Sequence, residues 1–299
     1  MTRLVMTRLV MLRHVSTVRT SPPWAPLGAQ ATGTVLAAVV LAAIVLAGIC
    51  APWLAPHDPL AHLDVIALKN RAPTFAFPLG TDPYSRDVLS RALYGARTSL
   101  LVGFVGAGVA VLLALVWGTC AGIVRARVGD RLMRLADALR ALPRKIVLLA
   151  IMLVVPRASV LLLALLLGLT SWTALSHVIF VQVRAMQGRD FVTAAHALGA
   201  SRGRVMWRHV APQLTGTLTA AGALLVADML AVEAGLSFLG LGVRPPTASW
   251  GAMLQDGVPY LGSAWWIAAT PCVLLVVTVL CIARLADALH ADRTSRARG

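Results

Sequence analysis

The sequence predicts an all-α membrane protein with six transmembrane helices, on three observations. Of its 299 residues 58% are hydrophobic and 13% charged, and the mean hydropathy of +0.79 lies far above that of a soluble domain. Apolar tracts long enough to cross a bilayer recur along the chain, separated by polar, Pro-rich or Arg-rich segments. Placing the N-terminus in the cytoplasm puts 20 of the 27 Lys and Arg residues on that side and 7 outside, the bias that the positive-inside rule demands. A net charge of +15 would suit a nucleic-acid partner in a soluble protein. Here its distribution across the membrane accounts for it.

Taken in order, residues 1–32 form a cytoplasmic leader with Arg3, Arg8, Arg13 and Arg19, no acid, and the short repeat MTRLV-MTRLV-M. Met6 and Met11 are alternative starts. The first span, 33–54, is longer than a signal-peptide core, and no cleavage site with a soluble sequence follows. Residues 55–98 are an outer segment broken by Pro56, Pro59, Pro73, Pro78 and Pro83, ending in an amphipathic interfacial helix from Asp87 to Leu101. The second span, Ser99 to Val124, carries Gly103, Gly106, Gly108, Gly118 and Gly122, suited to close helix packing. Arg125–Lys145 reads as a basic inner segment.

Ile146 to Val183 is too long for one crossing of about 20 residues, so it divides at Pro156-Arg157 into the third and fourth spans. Arg144 and Lys145 must then snorkel, or the third helix must begin earlier. The fifth span covers Leu214–Val232, and an outer Gly/Pro-rich gate loop, 233–262, follows it. The sixth span is Ala264–Ala283, and the tail 284–299 is cytoplasmic. Residues 99–283 thus form the core of five spans, with a basic inner loop at 184–213.

That loop is the most informative stretch. Phe191–Leu198 favours a helix, and Gly199 stands where a helix end takes a left-handed residue. Ser201 can cap a second helix, Arg202–Val210, and Pro212 marks its far boundary. Small Ala194 and Ala195 let a partner surface approach. The stretch reads as a docking element for another protein. The same spacing fits a DNA-binding helix-turn-helix, but apolar tracts begin within a few residues on both sides and leave no room for such a domain.

The remaining chemistry-bearing residues form no catalytic set. Cys50, Cys120, Cys272 and Cys281 sit in or beside apolar tracts without a CxxC pair and read as small buried hydrophobes. His177 reads as a packing histidine, and Trp265-Trp266 as interfacial belt residues. The only lysines are Lys69 and Lys145, neither after a Gly-rich loop, so no phosphate cradle of the GxxxxGK[ST] type exists. Asp228 lies within a span, where an acid faces a translocation path or a pairing interface, or hydrogen-bonds to a neighbouring helix.

Three stretches together resemble a family. Thr193-Ala194-Ala195-His196-Ala197-Leu198-Gly199 with Pro212 is similar to the cytoplasmic loop of permease subunits of binding-protein-dependent ABC importers. Pro78-Leu79-Gly80-Thr81-Asp82 with Arg86-Asp87-Val88-Leu89-Ser90-Arg91 and Tyr94-Gly95-Ala96-Arg97 resembles the C-type permeases of the dipeptide/oligopeptide/nickel branch. So does Glu233-Ala234-Gly235-Leu236-Ser237-Phe238-Leu239-Gly240-Leu241-Gly242, followed by Pro245-Pro246 and Ser249-Trp250-Gly251. The chain departs from the pattern at Thr193, where the family has glutamate. It departs also at Gly188 and Phe180, where charges are usual, and at Arg144-Lys145 after Pro143, where relatives run directly into an apolar helix.

The resemblance implies a type I ABC importer permease fold with a cytoplasmic coupling helix, in the bacterial inner membrane with both termini cytoplasmic. It implies a second, B-type permease, two ATP-binding subunits and an extracytoplasmic substrate-binding protein as partners, with the lipid bilayer around them and no nucleic acid. ATP and Mg would be bound by the ATPase subunits and no cofactor or metal by this chain. Thr193, Ala194, Ala195, Leu198, Gly199, Ala200, Ser201, Arg204 and Pro212 would couple to the ATPase. Asp228, Glu233, Ser237 and Phe238 would line the path or its gate, with Glu233 a gate or brace. Arg86, Asp87, Arg91 and Trp250 would meet the binding protein, although an interfacial helix explains the same outer residues. An ion-coupled secondary transporter remains the alternative, which predicts inverted repeats and broken helices; no such repeat is found in the sequence. The transported solute stays open among peptides, nickel chelates, glutathione and opines.

Overall fold

The computed structural model describes residues 27–61, 64, 66–155 and 159–296, all of them helix, turn or loop apart from a single bridge between Thr81 and Asp87. The leader's arginines and Pro156-Arg157 lie outside the described residues. Helix α1 (Leu27–Ile49) packs at the periphery against α3 and α12, and a one-turn helix α2 (Ala51–Leu54) follows.

Helix α3 (Val88–Ile123) is the axis of the fold. Asp87 caps it by accepting the Ser90 N–H at 2.9 Å. Its 36 residues run about 54 Å, against a hydrocarbon core of about 30 Å. The separate interfacial helix and second span of the sequence reading are therefore one element. Gly95, which could have broken it, is instead the place where Trp250 lies against the helix, so the chain continues helical beneath the indole.

The basic segment after α3 differs most from expectation. Arg125–Lys145 is no loop. Helix α4 (Ala126–Ala141) folds back along α3 and α7, burying Met133 and Ala136 and leaving Arg131, Arg134 and Arg140 exposed. Gly129 lies against the Ala121 carbonyl, and the Trp117 indole N–H donates to the Leu132 carbonyl at 3.3 Å. After a break at Leu142-Pro143, α5 (Arg144–Val154) continues. Amphipathic spacing, not apolar length, makes α4 a packed helix.

The long apolar run divides where expected, between α5 and α6 (Val160–Leu169), with Ser159 Oγ accepting the Leu162 N–H at 3.1 Å. It divides a second time at Thr170-Ser171, where α7 (Trp172–Gln187) leaves α6 at 42°. Helix α7 approaches α3 closely at two glycines. A Cβ on Gly118 would stand 2.6 Å from the Ser176 carbonyl, and one on Gly122 would meet Val183 at 2.5 Å.

Helices α8 (Asp190–Ala197) and α9 (Arg202–Val205) make the inner loop, and a π-turn at Met206–Val210 leads directly into α10 (Ala211–Phe238). Pro212 therefore bounds nothing. It sits in the first turn of α10, directly after the π-turn, and the chain stays helical through it. Helix α10 outruns the expected fifth span by six residues, so Glu233 lies inside it rather than at the start of a loop. Helix α11 (Trp250–Gly257), capped by Ser249, and the long α12 (Trp266–Arg296) complete the chain. The apolar core runs along α3, α6, α7 and α10.

Among the described residues four helices, α1, α3, α10 and α12, are each long and apolar enough to span a membrane, and the bent pair α6–α7 makes a fifth.

Candidate functional site

Function-bearing residues gather at three levels along α10. At its N-terminal end, the loop 184–213 is built as the punctuation predicts. Gly199 adopts φ +79 and the Ala200 N–H reaches back to the Ala195 carbonyl at 3.0 Å, the six-to-one bond that closes a helix on a left-handed glycine. Ser201 Oγ accepts the Arg204 N–H at 3.4 Å, and the Val205 N–H donates to the Ser201 carbonyl at 3.0 Å.

Burial sorts the loop into two faces. Val192, Val205, Met206 and Val210 are buried, facing a hollow they share with Ile123, Val124 and Val183. Ala194, Gly199, Ser201, Arg204 and Pro212 are exposed, Ala195 and Ala200 partly so, and Leu198 at the tip is 88% exposed. Thr193 occupies α8, but its side chain lies outside the described residues. Leu198 thus stands at the tip of the loop beside exposed Ala194, Gly199, Ser201 and Arg204.

At the middle level, Arg144 at the start of α5 reaches across to α10. Its guanidinium donates to Asp228 Oδ2 through Nη1, to Thr170 Oγ1 through Nε at 3.4 Å, and to Met229 Sδ through Nη2 at 3.5 Å. Of the readings the sequence offered for Asp228, the structure shows the bond to a neighbouring helix. The residue also lines a cavity of about 460 Å3 with Arg140, Arg144, Thr170 and Ser171. The partner was the part the sequence did not disclose, although an arginine directly after Pro143 inside an apolar stretch was its signal.

At the outer level, Glu233 is 0% exposed and fully bonded. It accepts from Ser237 Oγ at 2.6 Å and from Ser99 Oγ at 3.2 Å. Ser99 Oγ in turn accepts the Trp250 N–H at 3.2 Å, and Ser237 Oγ accepts the Val243 N–H at 3.1 Å. The Trp250 indole donates to the Ala92 carbonyl at 3.1 Å. Glu233 thus ties α10 to α3, to α11 and to the loop between α10 and α11. Phe238, at the end of α10, is 40% exposed.

Beside this lies a four-charge cluster. Arg86 meets Asp82 at 2.6 Å and Asp256 at 3.0 Å, while Arg91 meets the same two carboxylates at 3.4 and 3.2 Å. Burial pushes the Asp256 carboxyl above its usual range, with Arg86 pulling the other way. Arg86, Asp87, Arg91 and Trp250 are all buried in this chain, each engaged with its own fold, so the exposed outer contact expected of them is corrected. Their charges and ring are consumed in joining the outer segment to α11. Tyr84, half-exposed above Arg86, keeps an outward surface.

His177 Nε2 lies 2.8 Å from Asp137, and the four cysteines are free thiols. Trp265 is exposed, as a belt residue would be, while Trp266 is buried with its indole donating to the Thr81 carbonyl at 3.4 Å. Among the described residues no group of three or more His, Cys, Asp or Glu could hold a metal ion.

Comparison with known proteins places these features in context. Residues 91–295 match the sequence model of a family described as binding-protein-dependent transport system inner membrane component. The chain is 33% identical over 244 residues to the di/tripeptide transport system permease protein DppC of Pseudomonas aeruginosa, covering 80% of each chain. It is 31% identical over 211 residues to the oligopeptide transport system permease protein OppC of Bacillus subtilis, covering 71% of this chain and 69% of the relative. It is 32% identical, again over 211 residues, to OppC of Escherichia coli, covering 71% and 70%.

Proposed function

The chain belongs to the family of binding-protein-dependent transport system inner membrane components, and from that premise we propose that it forms half of an import pathway for di- and oligopeptides, driven by ATPase subunits seated on its inner loop. It is a membrane permease subunit, and its own part in the cycle is mechanical. The observation that carries this reading is Leu198, an 88% exposed leucine at the tip of a loop whose other face is buried. Because α9, the π-turn and α10 are continuous, force applied at Leu198 acts on the base of a 28-residue rod that carries Asp228 and Glu233.

Six crossings follow if α4 and α5 together make the third. Neither suffices alone, at 16 and 11 residues, but in sequence they cover about 40 Å. Gly129 beside Ala121, and Arg144 beside Asp228 and Thr170, support a course that starts at the inner end of α3 and rises. That topology puts both termini and the docking loop in the cytoplasm. A second permease would complete the channel, and an external binding protein would deliver solute to the outer face near Tyr84 and Phe238. ATP and Mg would reside in the partner subunits. Asp228 would face the path, and Glu233 and Ser237 would brace its outer end.

The broken spans are also a feature of ion-coupled carriers. Family membership decides between the two, because members of this family work with a binding protein. Leu198→Asp should leave the permease in the membrane but lose the co-purifying ATPase and with it uptake. Ser201→Cys in intact right-side-out vesicles should resist an impermeant thiol reagent. Full uptake by Leu198→Asp, or rapid outer labelling at position 201, would remove the basis of this reading.

A further inference from the structure

Building on the peptide-permease reading, we propose that the Arg144–Asp228 pair is a charge-matched station for a zwitterionic solute within the membrane, Arg144 taking its carboxylate and Asp228 its ammonium group.

Four observations converge on the same place. The first is the pair itself, donated from α5 to α10. Its side chains are 24% and 47% exposed although Asp228 lies midway along α10, a helix long and apolar enough to span a membrane. A half-exposed carboxylate at that depth requires water or a polar solute beside it, since hydrocarbon cannot solvate it. The second is the double interruption of backbone. The break at Leu142-Pro143 and the break at Thr170-Ser171 border the same cavity. Irregular backbone persists at membrane depth where it is buried in protein or lines a water-filled space.

The third observation is direction. Helices α5 and α7 both begin at this cavity, and the first turn of α7, Trp172 to Ala174, forms part of its wall. First-turn N–H groups have no partner within their own helix and favour an anion. Arg144 stands between that helix start and Asp228, bonded to Thr170 and to the carboxylate. The fourth is size. A space of about 460 Å3 falls within the range of small-ligand sites.

The charge arithmetic selects the solute. A partly hydrated cavity between helices solvates charge less well than bulk water, so an unpaired charge there is disfavoured. A zwitterion can open the pair and hand each end a counter-charge, so the net charge of the cavity is unchanged. An anion that drew Arg144 away would leave Asp228 unpaired, and a cation that drew Asp228 away would leave Arg144 unpaired beside Arg140. The same balance allows release, because the pair re-forms as the solute leaves.

The test uses the whole transporter, purified with its second permease and ATPase. Equilibrium dialysis without the binding protein measures retention of radiolabelled dialanine, N-acetyl-dialanine and dialanine amide. Wild type should retain dialanine at least tenfold better than either blocked form. The apolar pair Arg144→Met with Asp228→Leu should co-purify with its partners at wild-type ratios yet show no preference and import dialanine at least tenfold more slowly. The exchanged pair Arg144→Asp with Asp228→Arg should recover part of the retention. Equal retention of all three probes by wild type would overturn the station. So would wild-type uptake by the apolar pair, or loss of the second permease from it, which would mark the pair as a packing contact. Failure of the intact wild-type transporter, with its binding protein, to import any peptide would instead overturn the reading on which the station rests.

Discussion

The Ser99 hydroxyl donates to Glu233 Oε2 at 3.2 Å, joining positions 134 residues apart. The same oxygen accepts the Trp250 N–H, so α3, α10 and α11 meet at one buried carboxylate. A buried polar group that bonds in every direction rigidifies its surroundings, and removing any one partner leaves others unsatisfied.

Ser237→Ala removes a donor to Glu233 and strands the Val243 N–H. The expected cost is about 1–3 kcal/mol, the penalty of an unmet buried group. A lowered thermal midpoint of the detergent-purified transporter would register it. Glu233→Gln, which still offers an acceptor oxygen, should be milder than Glu233→Ala. Equal losses in the two variants would show that the group acts by charge alone.

Gly118 and Gly108 lie on the same helix in opposite circumstances. A Cβ at Gly118 meets the Ser176 carbonyl and Ile179, whereas one at Gly108 meets nothing within 4 Å. Because a carbonyl fixed in a helix cannot yield, Gly118→Ala should destabilise by about 1–3 kcal/mol and Gly108→Ala should not. Equal midpoints for the two variants would contradict the packing of α3 on α7.

Gly199 has open space around it but a φ of +79. A β-branched residue there opposes the left-handed turn by about 1–2 kcal/mol, enough to redirect Leu198. Gly199→Val should therefore express and insert normally while ATP hydrolysis and uptake come apart. Uptake per ATP hydrolysed is the measurement, and an unaltered ratio would speak against a stiff joint.

Asp256 lies outside the spans, and burial raises its carboxyl above the usual range. Between that range and the raised value the folded chain holds more protons than the unfolded one, so stability falls as pH rises. The thermal midpoint should decline across that window, and the decline should be shallower in Asp256→Asn. Parallel profiles for the two proteins would remove Asp256 as the cause.

The inner loop was the most legible part of the chain, because its signals are local. A left-handed position wants glycine, a helix start wants a hydroxyl, and Gly199 and Ser201 supply both within three residues. Helix α4 was hidden because apolar length is a poor guide to a helix that keeps its arginines on one face. Arg86, Arg91 and Trp250 looked like surface contacts because charge and aromaticity in an outer segment carry no mark of being turned inward.

By itself the sequence determined that this is a helical membrane protein, where most of its apolar tracts lie, and that one basic loop is punctuated as two helices about a left-handed glycine. Composition, helix caps and charge bias act over a few residues and need no partner. Only the tertiary structure decided that Arg144 meets Asp228, that Ser99 meets Glu233, and that two helix breaks open on one cavity. Those pairings depend on how the helices fold back beside α3, and the meeting of distant side chains is set by packing rather than by anything written near either residue.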